Sequence, residues 1–155
     1  MQFLDYFLAS AVSYLGLLAG ILLVKIAPEE QKPLRKYFEW LRKLILLLVF
    51  LFLIFYYSNS PAYIIALLIY LVFIIFVEYK SGNLLKKSII IYTTLGIIFY
   101  LSSKNPNLFA IESSLIFLHG MPAASLMFSK KEKNYAEIFL HNLGFLLVAN
   151  LAYFI

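Results

Sequence analysis

The chain has 155 residues, of which 63% are hydrophobic and 14% are charged, whereas a soluble domain usually has about 45–50% apolar and about 25% charged residues. Lipid is therefore the expected solvent for most of the chain, and the missing cysteines exclude disulfides, thiolate metal sites and cysteine nucleophiles. The net charge of +5 does not indicate a nucleic-acid partner, because the basic residues fall between apolar segments.

Six apolar segments follow one another along the chain. Each is near the ~17–25 residues that a helix needs to cross the hydrocarbon core, and none alternates between apolar and polar residues as a barrel strand does. The sequence predicts an all-α membrane protein, a six-helix bundle in one integral domain covering residues 1–155. The segments are Phe3–Ile26, Leu44–Tyr57, Ala62–Val77, Ser88–Leu101, Asn107–Phe128 and Tyr135–Ile155.

The first segment carries a stripe of small residues at helical spacing: Ala9, Ser13, Gly16 and Gly20. Such a stripe lets a neighbouring helix approach closely, so we predict a packing face. It also suits self-association, and the sequence does not separate the two. No basic residue precedes Lys25, unlike in a signal peptide, so we expect the segment to be retained with its N-terminus outside.

Residues 27–43, APEEQKPLRKYFEWLRK, have an apolar face and a basic face at helical spacing. This pattern predicts a short amphipathic helix between spans one and two. It would lie among anionic lipid headgroups near residues 32–43, with Trp40 as an interfacial anchor. The alternative is a solvated extension of the second span.

Residues 42–61 and 86–106 align with each other at an offset of 44, including a shared Phe-Tyr pair, and one inserted residue also aligns their closing prolines. Two interpretations remain open. One is an internal duplication, as found in transporters. The other is geometric, since any pair of spans with short turns has about this length and needs basic residues at its cytoplasmic turn.

The fifth segment contains Glu112, His119, Gly120 and Pro122 within apolar sequence. Ionisable groups inside a span are costly and usually face the protein interior or a wet cavity. Proline removes a backbone donor, so we predict a helix break at Gly120 and Pro122, with a freed carbonyl beside His119. His119 is the best candidate for a ligand- or proton-binding group. The alternative is a simple proline bend with a satisfied histidine.

The sixth segment adds Glu137, His141, Asn142 and Asn150 as further candidates. A short turn joins the last two segments, so we expect them to be neighbours. Glu112, His119, Asn142 and Asn150 would then line a polar seam between spans five and six, with Glu137 and His141 as a second pair near its cytoplasmic mouth. These side chains also suit helix capping and interhelical hydrogen bonding. Their spread in depth does not favour one metal site.

Basic residues are strongly asymmetric between the two sides of the predicted bundle. Twelve of the thirteen fall in the loops after spans one, three and five, and Lys104 is the exception. The positive-inside rule then makes these loops cytoplasmic in a multi-pass protein of the cell membrane, with both termini outside.

The function that these patterns favour is a small transporter or channel for a solute, an ion or a proton. The alternative is a non-catalytic subunit of a larger membrane complex, and an intramembrane enzyme is a third, weaker hypothesis. No motif indicates a catalytic residue, a metal site or a cofactor. The bilayer is the main predicted partner, together with a second copy or another membrane chain.

Overall fold

The computed structural model describes residues 2–80, 82, 84–128 and 135–154, and every regular element within them is a helix. The turn predicted at residues 129–134 and the predicted end of the last span at Ile155 lie outside the described residues. The helices are α1 (Phe3–Tyr14), α2 (Gly16–Ile26), α3 (Gln31–Tyr56), α4 (Pro61–Lys80), α5 (Leu84–Ser102), α6 (Pro106–Met127), α7 (Tyr135–Asn142) and α8 (Gly144–Ala152).

Single residues join the helices at both ends of the chain. Leu15 lies between α1 and α2, and Leu143 lies between α7 and α8; both have right-handed helical backbone angles. Helical hydrogen bonds connect each joining residue to the next helix: Ala19 N–H donates to the Leu15 carbonyl oxygen, and Leu147 N–H donates to the Leu143 carbonyl oxygen. Residues 3–26 therefore form one nearly continuous helical rod, which agrees with the first predicted segment.

Helix α3 contains both the basic amphipathic stretch and the second apolar segment. It is continuous from Gln31 to Tyr56, so the predicted amphipathic helix is not a separate element. At its start, the Gln31 side-chain amide donates to the carbonyl oxygens of Ser125 and Phe128 in and after α6, at 3.1 and 2.7 Å. Its position relative to lipid headgroups stays a prediction.

Helix α6 is the centre of the packing. It packs most extensively against α2 and α3 and also packs against α1 and α5. Its start is fixed by Asn105, whose side-chain oxygen accepts from the backbone N–H groups of Asn107 and Leu108, with Pro106 in the first turn. Helices α7 and α8 pack on the other side of α5 and on α1, and α4 lies at the edge against α3 and α5.

The outer surface of the described chain differs from that of a soluble protein, while most of its buried side chains are apolar. The outer surface carries many large apolar residues, for example Ile69 and Val72 of α4, which are 66% and 65% exposed. The interior contains buried Arg42, Glu112 and His119. By length and composition, four helical stretches of the described chain can cross a membrane: Phe3–Ile26, Pro61–Lys80, Leu84–Ser102 and Pro106–Met127. These features are those of an integral membrane protein.

Candidate functional site

Three charged side chains meet between α3, α4 and α5, and we call Arg42, Glu78 and Lys87 the ion-pair cluster. One terminal nitrogen of Arg42, Nη2, lies 2.8 Å from both carboxylate oxygens of Glu78. Lys87 Nζ lies 3.7 Å from Glu78 Oε2 and donates to the Glu78 carbonyl oxygen. The side chains of Arg42, Glu78 and Lys87 are only 6%, 8% and 13% exposed, so the cluster is largely removed from solvent.

A small cavity of about 10 Å³ lies beside this cluster, which is about the room that one water molecule needs. We call it the His119 cavity. His119 is 1% exposed, and neither of its ring nitrogens has a hydrogen-bond partner among the described residues. The cavity lies between α3, α5 and α6 and is lined by Arg42, Leu84, Ser88, Ile91, His119, Ala123, Leu126 and Met127.

The polar residues of the cavity come to one level because of their positions along three helices. Arg42 lies 14 residues before Tyr56, Ser88 lies 14 before Ser102, and His119 lies 13 after Pro106. The ends of α3 and α5 lie together, because the Tyr57 hydroxyl donates to the Leu101 carbonyl oxygen at 3.0 Å. At about 1.5 Å per residue, each polar group lies about 20 Å from that end.

Two further polar groups, Asn142 and Tyr92, contact polar residues that line the cavity. Ser88 donates to the side-chain oxygen of Asn142 at 2.5 Å, while the Asn142 amide donates to the Ile138 carbonyl oxygen at 2.7 Å. The Tyr92 ring lies 5.8 Å from the His119 ring, and its buried hydroxyl has no partner among the described residues. Unpartnered buried polar groups are rare in native proteins, so their concentration here marks a site.

Glu112 lies on the same side of α6 as His119, two turns away and about 10 Å along the axis. It is fully buried, and neither carboxyl oxygen has a partner among the described residues. An ionised carboxylate here would lack the partners that normally offset its burial. Glu112 does not line the His119 cavity, so the structure does not join these two candidates in one pocket.

The prediction of a seam between spans five and six is wrong. Helices α7 and α8 pack mainly on α5 and α1, and α6 is not among their principal neighbours. A short turn makes two helices antiparallel but does not oblige them to touch when another helix packs better. Asn142 still reaches the region of the cavity, through Ser88 of the intervening α5.

The predicted helix break at Gly120 and Pro122 is also absent. Helix α6 runs through Pro122 to Met127 without interruption, which neighbouring turns permit because proline removes only one backbone donor. Gly120 instead lies at a close crossing with α2. A Cβ atom at Gly120 would lie 2.5 Å from the backbone carbon of Gly16.

The remaining candidates lie apart from the cavity. His141 is exposed, and its Nδ1 lies 2.8 Å from the backbone oxygen of Glu137 one turn earlier. The Asn150 amide donates to Ser10 at 3.2 Å and to the Leu146 carbonyl oxygen at 2.8 Å. Among the residues described, no three histidine or acidic side chains group as metal ligands would.

The small-residue stripe of the first rod faces α6. A Cβ atom at Gly16 would lie 2.0 Å from the Phe117 carbonyl oxygen, and one at Gly20 would lie 2.3 Å from that of Met121. Ser13 donates to the Ser113 carbonyl oxygen at 3.1 Å, while Ala9 is half-buried. This crossing positions α6, and with it His119.

The sequence patterns do not predict the ion-pair cluster. Arg42 and Lys87 have the positions of loop residues beside apolar segments, and Glu78 belongs to no motif. One signal is nevertheless present: Glu78 is an isolated acid near the end of an otherwise apolar helix, where a basic partner is expected. Comparison with known proteins gives no match, since no protein-family model, curated protein or solved structure is significantly similar to the chain.

Proposed function

We propose that the chain is a six-span integral membrane protein that moves a small ion or a proton, with the His119 cavity as its binding site. The supporting observation is that His119 is buried with both ring nitrogens unpartnered among the described residues and lines a cavity beside Arg42. A buried imidazole normally finds a partner, so one without any is suited to bind a species that comes and goes.

The size of the cavity restricts what this species is. Space for about one water molecule suits a proton, a water molecule or a small inorganic ion. An organic solute needs a pocket of several hundred Å³. The proposal is therefore narrower than the function expected from the sequence, which includes solutes.

The proposed topology has six spans, both termini outside and the basic loops in the cytoplasm. It adds two spans to the four long apolar helices: the apolar part of α3, and α7 together with α8. Both are shorter apolar stretches, which cross by using flanking polar residues or local thinning of the bilayer. Exposed Arg35, Lys36 and Lys43 on α3 would then lie near anionic headgroups.

Flux through reconstituted protein tests the proposal. Liposomes with an internal pH dye report proton movement, and parallel liposomes with an internal chloride dye report anion movement. We expect faster flux than in empty liposomes in at least one assay. His119→Gln should reduce that flux to about the background rate, because it removes the titratable ring from the cavity.

The matched control is His141→Gln, because His141 is an exposed histidine whose ring bonds to its own helix backbone. It should leave the flux unchanged. Native flux in correctly folded His119→Gln would remove His119 from the mechanism. No flux from the native protein in either assay would reject transport of a proton or a small anion.

An accessory subunit is the second candidate, and the small size of the cavity favours it. Mild detergent extraction from the native membrane should then recover a stable complex with other chains. A single homogeneous species containing only this chain would count against it.

A further inference from the structure

The ion-pair cluster contains more positive than negative charge. Arg42 and Lys87 carry one positive charge each, and Glu78 carries one negative charge. Among the described residues, Glu78 is the only carboxylate within 4 Å of either cation. One positive charge in excess is therefore buried, and such a charge is costly unless a counterion compensates it.

Hydrogen-bond donors without acceptors lie at the same place. Arg42 Nε is buried and has no partner among the described residues, and its N–H can only donate. His119, which also lines the cavity, has a ring N–H to donate as well. A cavity with an excess of positive charge and hydrogen-bond donors that lack acceptors is complementary to an anion.

We propose that the His119 cavity binds one small monovalent inorganic anion of the chloride type, held between Arg42 and His119. This inference rests on the proposed function, because it names the ion that the proposed site takes. The cavity is too small for a phosphate group, whether free or on a lipid headgroup. Glu78 and Lys87 set the charge that attracts the anion. Ser88 is the other polar residue that lines the cavity, and the Tyr92 ring lies beside His119.

Binding is measured on detergent-solubilised protein, independently of transport. Equilibrium binding of radioactive chloride gives the affinity. The melting temperature is compared in sodium chloride and in sodium gluconate of equal ionic strength. We expect saturable chloride binding and a higher melting temperature in chloride, because a ligand that binds only the folded state stabilises it.

Two substitutions in the cluster have opposite expected effects. Lys87→Gln removes the excess charge while keeping the Arg42–Glu78 pair, so chloride binding should weaken by about tenfold or more. Glu78→Gln removes the only paired carboxylate, so chloride should bind more tightly even though the protein itself is less stable. A purely structural disturbance would not strengthen binding.

Lys86→Gln is the control, because Lys86 is an exposed lysine next in sequence to Lys87. It should bind chloride as the native protein does. Equal melting temperatures in both salts with no chloride binding would show a water molecule at most and would overturn the inference. The inference would also be overturned if a phosphatidylglycerol headgroup competed with radioactive chloride for binding while bromide did not. Chloride binding without any flux would instead keep the anion site and reject the transport function.

Discussion

Arg42 and Glu78 form a close ion pair that is almost completely buried, with Nη2 at 2.8 Å from the carboxylate. A buried ion pair adds little net stability, because desolvation of both groups offsets their attraction. Removing one partner is different, since the other charge is then left unpaired in a low-dielectric environment. The pair therefore matters mainly because neither residue can be replaced alone without leaving an unpaired buried charge.

A double-mutant cycle tests whether Arg42 and Glu78 interact in this way. Arg42→Gln and Glu78→Gln should each lower the free energy of unfolding by about 3–5 kcal/mol. The double substitution should cost clearly less than the sum of the two, because no charge remains unpaired between them. The measurement is denaturant unfolding in detergent micelles. Strictly additive losses would mean that the two side chains do not interact.

The unpaired histidine and the charged cluster differ in how far they can be predicted from the sequence. His119 stands out because an ionisable side chain in the middle of an apolar segment is costly there, which by itself indicates a specific role. Arg42 does not stand out, because it directly precedes an apolar run, where basic residues mark the cytoplasmic end of a span. Its burial depends on α4 and α5 closing over it, and no local pattern carries that information.

At the scale of elements, the crossing of α2 and α6 fixes the interior. Gly16, Gly20 and Gly120 bring two helix backbones together so closely that a methyl group would overlap backbone atoms of the facing helix. Backbone atoms cannot rotate away as a side chain does, so the helices themselves would have to move apart.

Gly20→Ala should therefore lower the free energy of unfolding by about 1–3 kcal/mol, the usual cost of overpacking. The measurement is the melting of the detergent-solubilised protein. Gly82→Ala is the matched control, because nothing lies within 4 Å of the added methyl group there. Equal melting of both variants would mean that the crossing is looser in solution.

Element boundaries were predictable and element neighbours were not. The apolar segments match the helices within a few residues, apart from α3, because hydrophobic length is a local property. The stripe containing Gly16 and Gly20 was also visible as a packing face. The sequence did not indicate that α6 covers this face or that α5 lies between α6 and α7. Both arrangements depend on how whole helix surfaces fit against one another.

For the whole molecule, the apolar outer surface is the main physical fact. Large apolar side chains are directed outward as well as inward, and the ionisable Arg42, Glu112 and His119 are buried among the inward ones. Hydrophobic burial cannot drive the association of helices in lipid, so close crossings and interhelical hydrogen bonds have to hold the bundle together. The bond from Tyr6 to the Ala149 carbonyl oxygen, at 2.8 Å, is one of these.

The proposed topology is testable because the chain has no cysteine of its own. Single cysteines at exposed Asn59 and Lys104 should react with a membrane-impermeant maleimide from outside intact cells. Gly82→Cys should react only after permeabilisation. Reaction of Asn59→Cys and Lys104→Cys from opposite sides would contradict the number of spans, and the reverse pattern would contradict the orientation.

The edge position of α4 has a mechanical consequence. This helix has little buried surface, and its described side-chain hydrogen bonds to the rest of the protein are that from Tyr70 to Thr94 and those of Glu78. Polar contacts therefore hold α4 to the rest of the protein mainly near its C-terminal end, at Glu78. Any outward movement of α4 must either separate Glu78 from Arg42 and Lys87 or move those side chains with it. The charge on one carboxylate therefore determines how firmly α4 is held against α3 and α5.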